Sequence, residues 1–182
     1  MKSEIKIYNL RIVPPNPIFN EVVEFKKQFI TIFGKHPLST SKPHITIAEF
    51  KMDIQYQEIL LTAFRHLSNI EKFELDINGF GVFENNSYVL HLKVSKTEGI
   101  EEIYKQLKIL WIRELHRKLT SLKNSNTPHI TISKTDGKPM LSKSFEFFHK
   151  TDYKKSFEVF RLTLVSRYEN RTWDWEHHIE LS

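Results

Sequence analysis

The pentapeptide Pro-His-Ile-Thr-Ile occurs twice in this chain, at Pro43–Ile47 and at Pro128–Ile132, 85 residues apart. Each copy sets an imidazole two positions before a hydroxyl: His44 with Thr46, and His129 with Thr131. Side chains alternate along an extended strand. Each histidine and its threonine therefore share one face, while the isoleucines anchor the other in a core. Two residues of strand rise separate the paired groups by roughly 6.6 Å at the backbone. Two such pairs meeting across a cleft suit displacement at phosphorus, which needs a base on one side and an acid on the other. Histidine, with an ordinary pKa of about 6.5, fills either role near neutrality. The threonine hydroxyls would hold the non-bridging oxygens as charge develops. The repeat makes the two histidines equivalent, so either can be base or acid. Zinc usually takes four ligands, and no carboxylate cluster accompanies the two histidines. No metal and no cofactor is expected.

Chance would repeat a pentapeptide in a chain of this length only about 0.5% of the time, so an internal duplication is the better explanation. More of the chain keeps the offset: Glu84-Asn85 recurs as Glu169-Asn170, and Phe73-Glu74 recurs one residue short of it as Phe157-Glu158. The halves, approximately 1–95 and 96–182, divide near Val94–Gly99. In the first, Glu4–Val13 is β-rich. Val22, Phe25, Phe29 and Ile32 form a helical stripe over Asn20–Phe33, which Gly34 ends. A strand over His44–Phe50 follows. Asp53 then caps a helix reaching Leu67, and strands Phe73–Phe83 and Tyr88–Val94 flank a polar turn. In the second half a strong helical pattern covers Ile100–Leu119. It is followed by strand His129–Ser133, a helix through Leu141, Phe145 and Phe148, and strands Phe157–Tyr168 and Trp173–Leu181. The expectation is an α+β fold of mainly antiparallel pairing. It is a single bilobal, pseudo-twofold duplicated unit over 1–182, with two sheets, flanking helices and a central cleft.

Composition narrows the function classes. The 182 residues are 40% hydrophobic and 27% charged, which is ordinary for a globular protein and argues against disorder or coiled coil. With no cysteine, thiol nucleophiles, iron–sulfur clusters and disulfide frameworks are excluded. Five glycines form no phosphate-cradling loop. The net charge of +5 is a mild bias toward anionic partners. Met1–Tyr8 holds no signal-peptide core, and no apolar run of about 18 residues is long enough for a membrane. A cytoplasmic monomer without membrane association is expected.

Two His-x-Thr-hydrophobic motifs, one per half, resemble the signature of the two-histidine (2H) phosphoesterase superfamily, in its 2′-5′ RNA ligase and cyclic phosphodiesterase branch. The likeness extends to the opening Tyr8-Asn9-Leu10-Arg11-Ile12-Val13-Pro14-Pro15 and to Gly79-Phe80-Gly81-Val82-Phe83. It implies a bilobal fold with the motifs facing across a cleft. It also implies metal-independent chemistry on 2′,3′-cyclic or 2′,5′-linked phosphodiesters, with His44, Thr46, His129 and Thr131 catalytic and phosphate-binding. The substrate would be an RNA end, an oligonucleotide or a small cyclic nucleotide. Many relatives carry a basic residue soon after the second motif, and Lys134 matches it; the first motif is followed by Ala48-Glu49 instead. No nucleotidyl-transfer lysine motif is present, so any joining would be the reverse of cleavage. A non-catalytic nucleotide- or RNA-binding module using the same cleft is the alternative.

Other candidates come from the residues alone. Tyr8, beside Arg11 on the opening strand, and Phe83 are placed to stack a base or touch phosphate, although burial explains Phe83 equally well. His91 alternates with Val89 and Lys93 and is a weaker candidate for the cleft. His177, on a stripe with Trp173 and Trp175, reads as core-side, and His178 as solvated. Lys26-Lys27 and Lys154-Lys155 read as solvated faces.

Overall fold

A computed structural model describes residues 4–182, apart from the side chains of residues 120 and 121; Met1–Ser3 of the opening stretch lie outside it. Among these residues run nine strands and four α-helices: β1 (Ile5–Ile12), α1 (Ile18–Phe33), β2 (Ile45–Asp53), α2 (Gln57–Phe64), β3 (Phe73–Phe83), β4 (Tyr88–Val94), α3 (Glu98–Arg113), β5 (Leu119–Asn124), β6 (His129–Thr135), α4 (Lys138–Phe148), β7 (Lys154–Val159), β8 (Arg161–Arg167) and β9 (Trp175–Glu180). Gly34 ends α1 with φ 87°, a conformation that suits a residue without Cβ.

Every strand pairing is antiparallel, in the order β7-β3-β4-β6-β2-β1-β8-β9, with β5 on β2. The α+β class and the bilobal architecture agree with the expectation. The two expected sheets are the two walls of one curled sheet, joined at a seam. There β2 and β6 meet only at Ile45 and Ile130. One wall is β7-β3-β4-β6 and the other is β2-β1-β8-β9 with β5. The chain halves are therefore interleaved: first-half β3 and β4 pair with second-half β7 and β6, and first-half β1 pairs with β8.

Each wall has its own aromatic core on the helical side. Phe25 and Phe29 of α1 meet Phe80, Phe148 and Tyr153. Under the other wall, Phe50 meets Tyr8, Phe64 and Trp111. The isoleucines of both motifs, Ile45, Ile47, Ile130 and Ile132, are buried. Burial of such side chains contributes roughly 1.5–3 kcal/mol each, which makes the facing of the motif strands costly to reverse.

Three expected elements differ. The helical stripe over Ile100–Leu119 ends at Arg113; Leu115 stays buried outside the helix, and Arg117 turns the chain with φ 66° into β5, which the sequence reading did not contain. The expected strand Phe157–Tyr168 breaks at Phe160, and its pieces β7 and β8 lie in different walls. Asp53 does cap a helical start, accepting from the Gln55 amide at 3.0 Å, but that first turn is 3₁₀ and the α-helix ends at Phe64.

Candidate active site

Both motif strands carry the same irregularity. In β1–β2, Thr46 lies opposite Arg11 and Ala48 opposite Leu10, so Ile47 is an extra residue. In β4–β6, Thr131 lies opposite His91 and Ser133 opposite Leu90, so Ile132 is extra. These β-bulges fall at equivalent positions of the repeat. A bulge resets the alternation of faces, so Glu49 and Lys134, opposite Asn9 and Val89, come back to the side that the threonines face. Residues directly opposite in antiparallel strands share a face. The motif face therefore collects His44, Thr46, Arg11, Asn9 and Glu49 from one wall. From the other it collects His129, Thr131, His91, Phe83 and Lys134.

The two imidazoles are held alike. The Nδ1 of His44 is 2.8 Å from the Lys42 carbonyl, and that of His129 is 2.8 Å from the Thr127 carbonyl. A carbonyl accepts only, so Nδ1 carries the proton. In the neutral ring Nε2 is then the lone-pair nitrogen, free to take a proton. Pro43 and Pro128, between each acceptor and its histidine, restrict the backbone at these steps. Burial lowers the His44 pKa to about 4; the Arg11 charge pushes the same way, the Lys42 carbonyl opposes, and Lys26 and His129 add smaller repulsions. Burial also lowers His129, against the Thr127 carbonyl. Ile45 and Ile130, each next to its histidine, pair across the seam, which brings the two motifs together on the sheet.

Arg11, opposite Thr46, brings a guanidinium to the first motif, where Ala48-Glu49 carries no basic residue. It is 7% exposed, its Nε donates to Asn9 Oδ1 at 2.8 Å, and Asn9 Nδ2 reaches Glu49 Oε2 at 3.4 Å. Burial lowers its pKa to about 10, against Glu49 and Glu176, so it stays charged at neutrality. The Trp173 ring lies 4.7 Å from the guanidinium carbon of Arg11 and 4.9 Å from that of Arg167. Trp173 precedes β9, is 38% exposed, and covers the arginine at the rim. Its alternation with Trp175 and His177 predicts a core stripe; the structure places it in the connection before β9 instead.

On the opposite wall, His91 is buried and stacked face to face on Phe83, with ring centroids 4.0 Å apart. Both rings meet His129 nearly edge-on, at 5.3 and 4.8 Å. Gly81 leaves the space His91 occupies: a Cβ there would stand 2.9 Å from His91 Nε2. Phe83 thus lies at the site, and His91 is closer to the motifs than its sequence position indicated. Lys134 is exposed at the edge of this face.

Two expected placements are corrected. Tyr8 is fully buried on the opposite face of β1 from Arg11. It stacks on Phe50 at 5.3 Å, and its hydroxyl donates to Gln57 Oε1 at 3.1 Å. It is a core residue and cannot meet a substrate in the cleft. Lys26, expected on a solvated face, is buried beneath the site. His177 stacks on Trp175, and His178 lies beside Glu176 at 3.3 Å. A groove of about 680 Å³ between α3 and the start of β3 contains no motif residue. Among the described residues no helix is long and apolar enough to cross a membrane, and no three His, Asp or Glu side chains group as metal ligands.

The model of a family described as the 2′-5′ RNA ligase superfamily matches residues 14–171, a span that holds both motifs. No curated protein sequence matches the chain. Among solved structures, TT0787 of Thermus thermophilus shares the fold at 17% identity, over 97% of this chain and 95% of that one, with TM-score 0.64. LigT of E. coli complexed with 3′-AMP is similar at 17% identity over 99% and 96%, with TM-score 0.63. LigT complexed with phosphate is similar at 15% identity over 99% and 96%, with TM-score 0.58.

Proposed function

This chain belongs to the 2′-5′ RNA ligase superfamily, and from that membership we propose that it is a metal-independent phosphoesterase acting on 2′,3′-cyclic or 2′,5′-linked RNA-type phosphodiesters. The observation that carries the reading is the matched pair of imidazoles, each fixed through Nδ1 by the carbonyl two residues before it and each presenting Nε2 beside a threonine. A phosphodiester seated between them meets a proton acceptor on one side and a proton donor on the other.

His44 takes the base role. Beyond burial, the positive charges of Arg11 and, less strongly, Lys26 disfavour its protonation. On a 2′,3′-cyclic phosphate, His44 Nε2 accepts a proton from water, and the water oxygen bonds to phosphorus. The bond from phosphorus to one ribose oxygen breaks, and His129, which enters the step as the imidazolium with both nitrogens protonated, gives its Nε2 proton to that oxygen. The product is a phosphomonoester beside a free hydroxyl. Thr46, Thr131 and Arg11 hold the non-bridging oxygens as their charge grows. Joining of ends is the same path with the hydroxyl of a second end attacking the cyclic phosphate in place of water. Phe83 offers an aromatic ring for a nucleoside. The ligands named for E. coli LigT, a 3′-nucleotide and phosphate, are of the chemical kind this reading requires.

The test is turnover of 2′,3′-cyclic nucleotides and of a 2′,5′-linked oligonucleotide with EDTA present. General acid–base catalysis contributes roughly 10²–10⁴-fold, so His44→Ala and His129→Ala should each lose at least about 100-fold. If the wild type cleaves neither yet binds a cyclic nucleotide, the cleft is a binding module instead.

A further inference from the structure

Lys26 stands on α1 with Ile18, Val22 and Phe29, on the face that packs against the sheet, and it is 3% exposed. Its Nζ donates to the Leu38 carbonyl at 2.9 Å, to Ser41 Oγ at 3.3 Å and to the Ile132 carbonyl at 3.0 Å. Among the described residues no carboxylate pairs with it. A buried ammonium satisfied wholly by neutral acceptors is a poor device for stability, since an apolar side chain of similar volume often serves a core better. Burial lowers its pKa to about 8, which leaves all three N–H groups in place at neutrality.

The three acceptors belong to two different parts of the site. Leu38 and Ser41 lie in the connection that delivers Lys42 and His44, and the Lys42 carbonyl orients the His44 ring. Ile132 is the bulge residue directly after Thr131. The same connection is tied to β6 a second time, by the Lys134 amide donating to the Pro37 carbonyl at 2.9 Å. Strand pairing alone joins the two motif strands at one residue pair. In the other wall the equivalent bulge carbonyl, that of Ile47, accepts from the Ser125 amide at 3.0 Å, and the Ser125 carbonyl accepts from the Tyr104 hydroxyl. Backbone and a neutral phenol do there what an ammonium does here.

We propose that Lys26 is a positioning residue that clamps the His44 connection to the bulge of the His129 strand, and so fixes the distance and angle between the two imidazoles. This rests on reading His44 and His129 as the acid–base pair. In Lys26→Met, Leu38 O still accepts from the Ser41 amide and hydroxyl, so the damage centres on the Ile132 carbonyl and the link between the motifs.

The experiment compares wild type, Lys26→Met and Lys26→Arg by amide hydrogen exchange and by steady-state kinetics on a 2′,3′-cyclic nucleotide. In Lys26→Met the amides of Ser41 and Lys134 should exchange at least about tenfold faster, while Leu164 in β8 keeps its protection. Misplacement of reacting groups by about 1 Å can cost roughly 100-fold, so kcat should fall about 10- to 100-fold with KM within threefold. Lys26→Arg, which keeps charge and donors, should recover most of both. Unchanged exchange at Lys134, or faster exchange with kcat intact, overturns the proposal. So does a loss of protection spread evenly to Leu164. If Lys26→Met does not fold, Lys26→Gln carries the same comparison; if neither folds, Lys26 is structural and the clamp is wrong. If the wild type turns over nothing, the proposed function fails, and the exchange data alone decide the clamp.

Discussion

Replacing Arg11 by methionine removes a charge that acts twice in the proposed chemistry. The guanidinium is almost fully buried, lies opposite Thr46 and is held by Asn9 beneath the Trp173 ring. If it holds a non-bridging oxygen, the loss is one charge-assisted hydrogen bond in a dry site, about 1.5–3 kcal/mol, or roughly 10- to 150-fold in kcat/KM. The second effect is on acidity. After burial, Arg11 is the largest influence keeping His44 neutral. The wild-type acid limb of kcat/KM should lie near pH 4, where protonation removes the base. Without Arg11 that limb should move toward, but not reach, pH 6.5, because burial still acts. Arg11→Lys keeps the charge but not the planar Nε–H donor to Asn9. It should therefore leave the limb near its wild-type position and recover only part of the rate. The assay is kcat/KM from pH 4 to pH 8 for all three proteins, on whichever diester the wild type cleaves. The limb belongs to coupled imidazoles, so the comparison is of its displacement. A methionine variant within threefold of wild type, with an unmoved acid limb, refutes both assignments.

Tyr8→Phe should cost about 0.5–1.5 kcal/mol of stability through the lost bond to Gln57 while kcat/KM stays within twofold; denaturant melts and kinetics on the same preparations check this. His91 is 4% exposed and burial holds its pKa at about 4. The unfolded state thus takes its proton first as pH falls through about 6.5, and stability should drop from there down to about 4. His91→Gln should remove up to about 2 kcal/mol of the loss between pH 7 and pH 4.5; urea unfolding at the two values measures it, and an unchanged loss refutes the assignment.

The motif residues were legible because two signals coincide at them: a repeat that chance does not supply, and an alternation that fixes which side chains share a face. The same alternation already separates Tyr8 from Arg11, since three residues apart on a strand means opposite faces. Lys26 carried a comparable signal, four residues after Val22 and three before Phe29 on one helical stripe. Its charge argues for solvent against that spacing, and in the fold the spacing prevails. The bulges were not legible, because Ile47 and Ile132 look like any other strand isoleucine, and their displacement exists only in the register with β1 and β4. Nor was β5, because the helical apolar pattern of α3 runs on through Leu115 to Leu119, past the left-handed turn at Arg117 that leads into the strand. The alternation of Trp173 with Trp175 misleads, because Trp173 sits in a connection and its partner Arg11 lies far away in sequence.

The interleaving of the two chain halves has a consequence for how the molecule is made. When the first 95 residues have left the ribosome, β1 can pair with β2 around α1 and β3 with β4 in a hairpin, but β4 has no β6 beside it and β1 has no β8. Those edges stay open until the second half follows, and open edges are templates for pairing with other chains. Leu10 reaches its partner Leu164 across most of the sequence, and contacts of such separation slow folding. The cleft between His44 and His129 therefore comes into being only when β6 docks between β4 and β2. Until that docking nothing holds the two imidazoles against each other.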